Sequence, residues 1–252
     1  MIFFASDYDG TLNQNGVSSE DIAAIIDFRR RGHLFGMATG RSIGSIQGEI
    51  DKFAFPVDFI IGNNGGAIQN TRKETVFLQT IPTRLVTKVI EHLMTYEIYV
   101  YGGNDGFNLG VKQIRANPDF TPTMESIDFD EVFSQKQVAV MFAFFVNEQD
   151  ASRCVIELNQ MFEGELSCFS NKGYIDIGTH GISKKSGIDF LVKHLDIDAE
   201  IHVIGDEYND LPMIKGFRGY TVESGTDEVK GFASRVFPSV ADALKHALSS
   251  SQ

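Results

Sequence analysis

The chain opens on an unbroken apolar run, Ile2-Phe3-Phe4-Ala5, and turns polar at Ser6 and Asp7. A run of this length without alternation reads as a short strand covered on both faces. Residues 34–39 (LFGMAT) and 57–62 (VDFIIG) repeat the pattern. Between these runs the period changes. Ser18 with Asp21 three residues on looks like a capping box, and Ile22, Ile25 and Ile26 then recur at helical spacing. Ile43, Ile46, Ile50 and Phe53 mark a second helix. Short strands alternating with helices predict a parallel, doubly wound α/β sheet.

The rhythm breaks after residue 62. Residues 63–70 are turn-rich and lead through 74–79, which reads as a hairpin. Pro82 opens a helix bearing Leu85, Val89, Ile90 and Leu93. A strand at 97–102 is followed by a stretch rich in glycine and asparagine at 102–108. Residues 138–146 form a strongly apolar strand and 148–162 a helix. Strands at 165–170 and 173–178 are separated by Asn171-Lys172. After residue 181 the first rhythm resumes, with a helix at 184–195 and a strand at 201–205. A short helix from Asn209, strands at 219–222 and 235–237, and a helix at 238–248 complete it. The expected organisation is a discontinuous Rossmann-like core, residues 1–81 and 179–252, interrupted by an α+β domain at 82–178.

A chain of 252 residues is long enough for one large domain or two smaller ones. Its 22 basic against 34 acidic residues leave a net charge of −12, which repels phosphate backbones and anionic membranes. Nucleic-acid and membrane partners are therefore not expected. The basic cluster Arg29-Arg30-Arg31 closes a helix and reads as a solvated end. Cys154 and Cys168 are too far apart for a short metal-binding pair, and Cys154 lies on an apolar helix face as a buried free thiol. The six histidines show no paired metal spacing, so no zinc site is expected. The first strand begins at once, without a basic leader or a spanning apolar segment, and the expected location is the cytoplasm.

Ligands of open α/β sheets bind outside the carboxyl ends of the strands. Asp7 and Asp9 follow the first strand, Thr39-Gly40-Arg41 the second and Asn63-Asn64-Gly65 the third. Asp206, Asn209 and Asp210 follow the strand at 201–205, and Lys184 and Lys185 begin the helix that re-enters the core. Each group alone has an ordinary structural reading as a turn, a helix cap or a solvated charge. Together they bring acids, a hydroxyl, an amide and an ammonium to one crevice. Tyr8, between the two acids, is expected to point into the sheet. Residues 13–16 read as a turn or as part of a hinge.

The segments DYDGTL, ATGR and GDEYND, with Lys184 of GISKKSG, resemble the four motifs of the haloacid dehalogenase (HAD) superfamily. The insertion after the third strand resembles that of its Cof-type, IIB subgroup, with a cap of type C2B. The resemblance covers essentially the whole chain. It implies a Mg²⁺-dependent phosphatase acting on small phosphomonoesters, sugar phosphates first among them. Asp7 would be the nucleophile that forms an aspartyl-phosphate, and Asp9 the acid that protonates the leaving oxygen and then activates water. Asp7 and Asp206 would give carboxylate oxygens to Mg²⁺, and Asp9 its backbone carbonyl. Thr39 and the Gly40 amide would hold phosphoryl oxygens, while Lys184, which matches the family's GxSK pattern, balances charge. Asn209 would orient Lys184 or a phosphoryl oxygen, and Asp210 would fix the metal's waters.

An acid at position 9 distinguishes this pattern from the related transport ATPases, which carry threonine there, and from the dehalogenases, which lack it. The alternatives left by the sequence are a hexose phosphomutase and a phosphoryl-accepting signalling protein. Arg41 reads either as a contact for a substrate anion or as a structural salt bridge. The stretches 101–108 and 170–174 read either as segments that close over the crevice and read the leaving group or as plain turns. A small phosphorylated metabolite is the expected partner, with the chain a monomer or homodimer.

Overall fold

A computed structural model describes residues 1–116, 126–134, 137–171 and 173–250. The chain begins β1 (Ile2–Ser6), α1 (Ser19–Arg30), β2 (Leu34–Ala38), α2 (Ile43–Phe53), β3 (Phe59–Gly62), β4 (Ala67–Gln69) and β5 (Thr75–Leu78). It continues with α3 (Thr83–Leu93), β6 (Ile98–Asn104), β7 (Leu109–Gln113), β8 (Ser126–Asp128) and α4 (Phe129–Ser134). Then follow β9 (Val140–Phe145), α5 (Glu148–Met161), β10 (Leu166–Asn171) and β11 (Tyr174–Thr179). The last stretch is α6 (Lys184–Leu195), β12 (Glu200–Ile204), α7 (Leu211–Gly216), β13 (Arg218–Val222), α8 (Asp227–Phe232), β14 (Arg235–Phe237) and α9 (Val240–Ser250). These elements form two compact units, Met1–Phe77 with Ser183–Gln252, and Leu78–Ile182. The second is wider at each end than residues 82–178.

In the first unit the strand order among the described residues is β14-β13-β12-β1-β2-β3-β4-β5. From β14 to β3 every pairing is parallel, and β4 then runs antiparallel to β3. The expected parallel α/β sheet is thus present, and it turns antiparallel at one edge, where the short turn from β3 to β4 leaves no room for a crossover helix. Ser6 stands opposite both Met37 and Ile204, and Ala38 opposite Ile61. The carboxyl ends of β1, β2, β3 and β12 thus finish level, which brings the residues after them to one edge.

Successive side chains of β1 face opposite ways, so each face has its own core. Phe3 stacks on Phe59 with centroids 4.2 Å apart, in a cluster with Ile61, Ile188, Leu191, Val203 and Met213. Phe4 meets Phe28, Phe35 and Tyr220 on the other face. His202 stacks there too, with Nδ1 2.8 Å from the Tyr220 hydroxyl, and burial lowers its pKa. Gly36 is required by close approach, since a Cβ there would lie 2.4 Å from the Phe59 carbonyl oxygen.

The basic end of α1 is not wholly solvated as expected. Arg29 donates from Nε and Nη2 to both oxygens of Asp58 at 2.9 and 2.7 Å, while Arg31 makes an exposed pair with Asp27. Asp58, before β3, also accepts from the Phe35 amide, so the charge serves tertiary structure.

In the second unit the strand order among the described residues is β10-β11-β9-β6-β7-β8. Leu85, Val89 and Leu93 of α3 and Ala151, Cys154 and Leu158 of α5 pack against Met141, Ala143, Phe145, Ile175 and Ile177. Cys154 and Cys168 are buried free thiols, each pushed up to about 12 by burial. Lys172, expected between two strands, lies outside the described residues. Among the described residues no helix is long and apolar enough to cross a membrane.

Candidate active site

Asp7 leaves the end of β1 with its amide bonded to the Ile204 carbonyl at 2.9 Å, and its side chain is buried. Lys184 enters as the first residue of α6, whose N-cap Ser183 exchanges side-chain bonds with Ser186. Its ammonium is fully buried and donates to Asp7 Oδ1 at 2.7 Å and to Asp210 Oδ1 at 2.6 Å. The adjacent Lys185 takes another course, to an exposed pair with Asp189 and over the Phe217 ring. Packing thus buries one lysine beside the acids and leaves the other partly exposed.

Asp210 uses both of its oxygens. Oδ1 takes the ammonium, and Oδ2 accepts the amides of Asp206 and Glu207 at 2.9 and 3.1 Å. Gly205 makes room for it, since a Cβ there would lie 2.3 Å from Asp210 Cγ. Asp206 Oδ1 accepts from the Thr11 hydroxyl at 2.6 Å. Gly10, at φ +80°, lets the chain pass so close that a Cβ would lie 2.2 Å from Asp206 Oδ2.

One ammonium faces three buried acids here. Burial raises Asp7 to about 8, with Asp210 and Asp206 adding to the shift and Lys184 opposing it. Burial likewise raises Asp206 to about 6 against the Thr11 bond. Burial works against charge on Lys184, but Asp210 and Asp7 outweigh it and hold the ammonium charged. Asp7, Asp206 and Asp210 each offer a carboxylate oxygen within 4.8 Å of the others. An excess of buried carboxylate oxygen suits a hard divalent cation such as Mg²⁺, which would relieve the repulsion. Among the described residues Asp7 and Asp206 have oxygens outside their protein bonds, whereas Asp210 has both engaged.

Thr39 and Gly40 follow β2. The Thr39 amide bonds the Ile61 carbonyl at 2.8 Å and its hydroxyl accepts the Arg41 amide at 3.2 Å. Asn64, in the left-handed region at φ 52°, donates its amide to the Thr39 carbonyl at 2.9 Å. Its side-chain oxygen accepts from Asn209 Nδ2 at 3.1 Å. Asn209 therefore joins the β3 turn, and the second partner of Lys184 is Asp210. The Asp9 carboxylate lies outside the buried cluster, gripped by Arg41. Tyr8 is buried, with its hydroxyl donating to Glu49 at 2.7 Å. Residues 13–16 form a turn, in which Asn13 Oδ1 accepts the Gly16 amide at 2.7 Å.

The sequence offers Thr11 only as part of the turn after Asp9, and Asn64 only as one of the groups at the end of the third strand. Thr11 stands in the DGT run, where a hydroxyl after a glycine turn was a usable signal. Asn64 stands in a turn-rich segment at a strand end, a place that also favours asparagine for conformation alone.

The profile of the haloacid dehalogenase-like hydrolases matches residues 4–248, and the chain belongs to that family. A Mycoplasma pneumoniae protein named "Putative phosphatase" is 22% identical, over 94% of this chain and 90% of its own length. Among solved structures, a haloacid dehalogenase-like hydrolase from Bacteroides thetaiotaomicron superposes with a TM-score of 0.83 at 22% identity, covering 98% of this chain and 99% of its own. A HAD subclass IIB sugar phosphatase superposes with a TM-score of 0.78 at 21% identity, covering 98% of each chain. The fold is thus the HAD-like α/β arrangement with an inserted unit.

Proposed function

We propose that the protein is a Mg²⁺-dependent phosphatase that hydrolyses small phosphomonoesters, sugar phosphates first among them, in the cytoplasm. The observation that carries this reading is the buried ion pair of Asp7 with Lys184, at the edge of the sheet where Asp206 and Thr39 also emerge. The phosphatase and sugar-phosphatase names of similar proteins support the same reaction class and substrate. A net charge of −12 supports a small metabolite over a nucleic acid or an anionic membrane.

Asp7 and Asp206, with the backbone carbonyl of Asp9, would hold Mg²⁺. When bound, the cation offsets negative charge on the carboxylates and the phosphoryl group. Asp7 attacks phosphorus and becomes the aspartyl-phosphate. Thr39 and the Gly40 amide hold phosphoryl oxygens, and the Lys184 ammonium balances charge between nucleophile and transferring group. Asp9 gives a proton to the leaving oxygen and later takes one from the water that hydrolyses the intermediate. Asp210 fixes Lys184 and the loop bearing Asp206, and Asn209 reaches the phosphate side through Asn64.

Phosphate release from p-nitrophenyl phosphate and a panel of sugar, polyol and nucleotide phosphates tests the reading. The intact protein should release free phosphate in Mg²⁺, and Asp7→Asn should abolish release while thermal unfolding stays cooperative. Full activity in that variant removes Asp7 from the mechanism. An isomeric sugar phosphate in place of free phosphate identifies a mutase.

A further inference from the structure

The steps above give Arg41 no task, yet its guanidinium is among the most firmly held cations of the first unit. Nε and Nη2 donate to the two oxygens of Asp9, both at 2.7 Å. The same guanidinium lies 5.0 Å over the Tyr8 ring, and Nη1 is 3.6 Å from Glu49. Glu49 is in turn the acceptor of the buried Tyr8 hydroxyl. The Arg41 side chain is 19% exposed and that of Asp9 is 55% exposed. The guanidinium is therefore the fixed member of the pair and the carboxylate the adjustable one.

We propose that Arg41 is a positioning residue for Asp9, whose forked grip sets where the carboxyl stands during proton transfer. This rests on the phosphatase reading above. As Asp7 forms its bond to phosphorus, the bond from phosphorus to the leaving oxygen breaks. The freed electron pair takes the proton of Asp9. A protonated carboxyl keeps one oxygen to accept from Arg41 and turns its hydroxyl to the leaving oxygen, so two contacts become one without loss of place. Once the proton is given, the carboxylate accepts from both arms of the fork. In the second step water attacks phosphorus, the Asp7 bond breaks, and Asp9 takes the water's proton and returns to the single contact. A fork matched to both carboxylate oxygens supplies this, whereas an ammonium is a point charge.

A purely structural pair would affect all substrates alike. A positioning role falls hardest on substrates whose leaving group needs a proton. The test compares kcat/KM for p-nitrophenyl phosphate, whose phenolate leaves readily, with that for glycerol phosphate, whose alkoxide does not. This parameter reports events up to the transition state of phosphoryl transfer and leaves out the later hydrolysis. Arg41→Ala should lower the glycerol phosphate value relative to the aryl value by about tenfold or more, within the range of general-acid catalysis. Arg41→Lys, which keeps the charge without the fork, should not restore the ratio. If Arg41→Ala does not fold, Arg41→Gln carries the same comparison. Equal losses with both substrates, an unchanged ratio, or full restoration by Arg41→Lys would overturn the proposal. No phosphate release from either substrate by the intact protein would instead overturn the phosphatase reading.

Discussion

Lys184 and Asp210 meet at 2.6 Å, and neither side chain has any exposed surface. A buried pair is a modest source of stability, but breaking one side of it is costly because the other charge is left uncompensated. Lys184→Met would strand both Asp210 and Asp7. Urea denaturation should show a loss of about 3–5 kcal/mol, together with loss of p-nitrophenyl phosphate hydrolysis. Lys185→Ala removes an exposed pair with Asp189 and a contact over the Phe217 ring, and should cost about 1 kcal/mol or less, with activity retained. The opposite ranking of the two variants would transfer the role to Lys185.

The acids define a direction for pH. Asp206 is raised from 3.8 to about 6 and Asp7 from 3.8 to about 8, both chiefly by burial. A carboxyl raised on folding contributes stability that is present below its unfolded value and lost as pH climbs through its folded value. The metal-free protein should therefore weaken from acid pH toward pH 8. Mg²⁺ binds the ionised carboxylates, so its stabilising effect should grow over the same interval. Calorimetry with and without excess Mg²⁺ should give a larger rise in Tm at pH 8 than at pH 5. An increment that is equal or smaller at pH 8 would count against these acids as the ligands.

Two glycines separate backbone strain from damage to the site. Gly10 and Gly32 have φ of +80° and +84°, but a Cβ at Gly10 meets Asp206 Oδ2 and one at Gly32 meets nothing within 4 Å. Either alanine should cost about 1–2 kcal/mol from the left-handed backbone. Gly10→Ala alone should also reduce the Tm gain from Mg²⁺, because Asp206 must move. Equal Mg²⁺ gains in the two variants would show that Asp206 does not bind the ion.

Asn64 allows the same separation at the β3 turn. Asn64→Gly keeps the left-handed backbone and removes the acceptor of Asn209, so stability should change little while KM for the phosphomonoester rises. Asn64→Ala should add a stability loss of about 1 kcal/mol from backbone strain. Unchanged KM in both variants would leave the Asn64–Asn209 bond without a part in substrate binding.

The central strands were legible because buried parallel strands are continuous apolar runs, as in β1 and β3. Strand β7, helix α4 and helix α8 were not read from the sequence. Residues 109–113 mix two apolar positions with glycine, lysine and glutamine, and the two helices are six residues each, too short to establish a period. The capping signal at Ser18 was local and accurate: its hydroxyl accepts the Asp21 amide at 3.0 Å. The long-range bond of Asp21, whose Oδ1 accepts the Ala241 amide at 2.8 Å, depends on where α9 packs. At the site, the strand-end rule collected Asp7, Thr39 and Asp206. It could not choose between Lys184 and Lys185, which differ by about 100° around the helix. Nor could it foresee the grip of Arg41 on Asp9, since only the β1–β2 register makes neighbours of residues 32 apart.

The pair joining Asp7 to Lys184 spans 177 positions of the chain, and the bond from Thr11 to Asp206 spans 195. Closing loops of that size costs entropy before any contact repays it, and such topologies fold slowly. During synthesis Asp7 leaves the ribosome long before its cation exists, so the early chain presents a hydrated, unreactive acid. On the proposed mechanism chemical competence waits for α6 and β12, since α6 begins at Lys184 and β12 leads to Asp206. With Asp7 as the proposed nucleophile, completion of the fold itself would switch it on, and a nascent chain would have no means of attacking phosphate esters ahead of time.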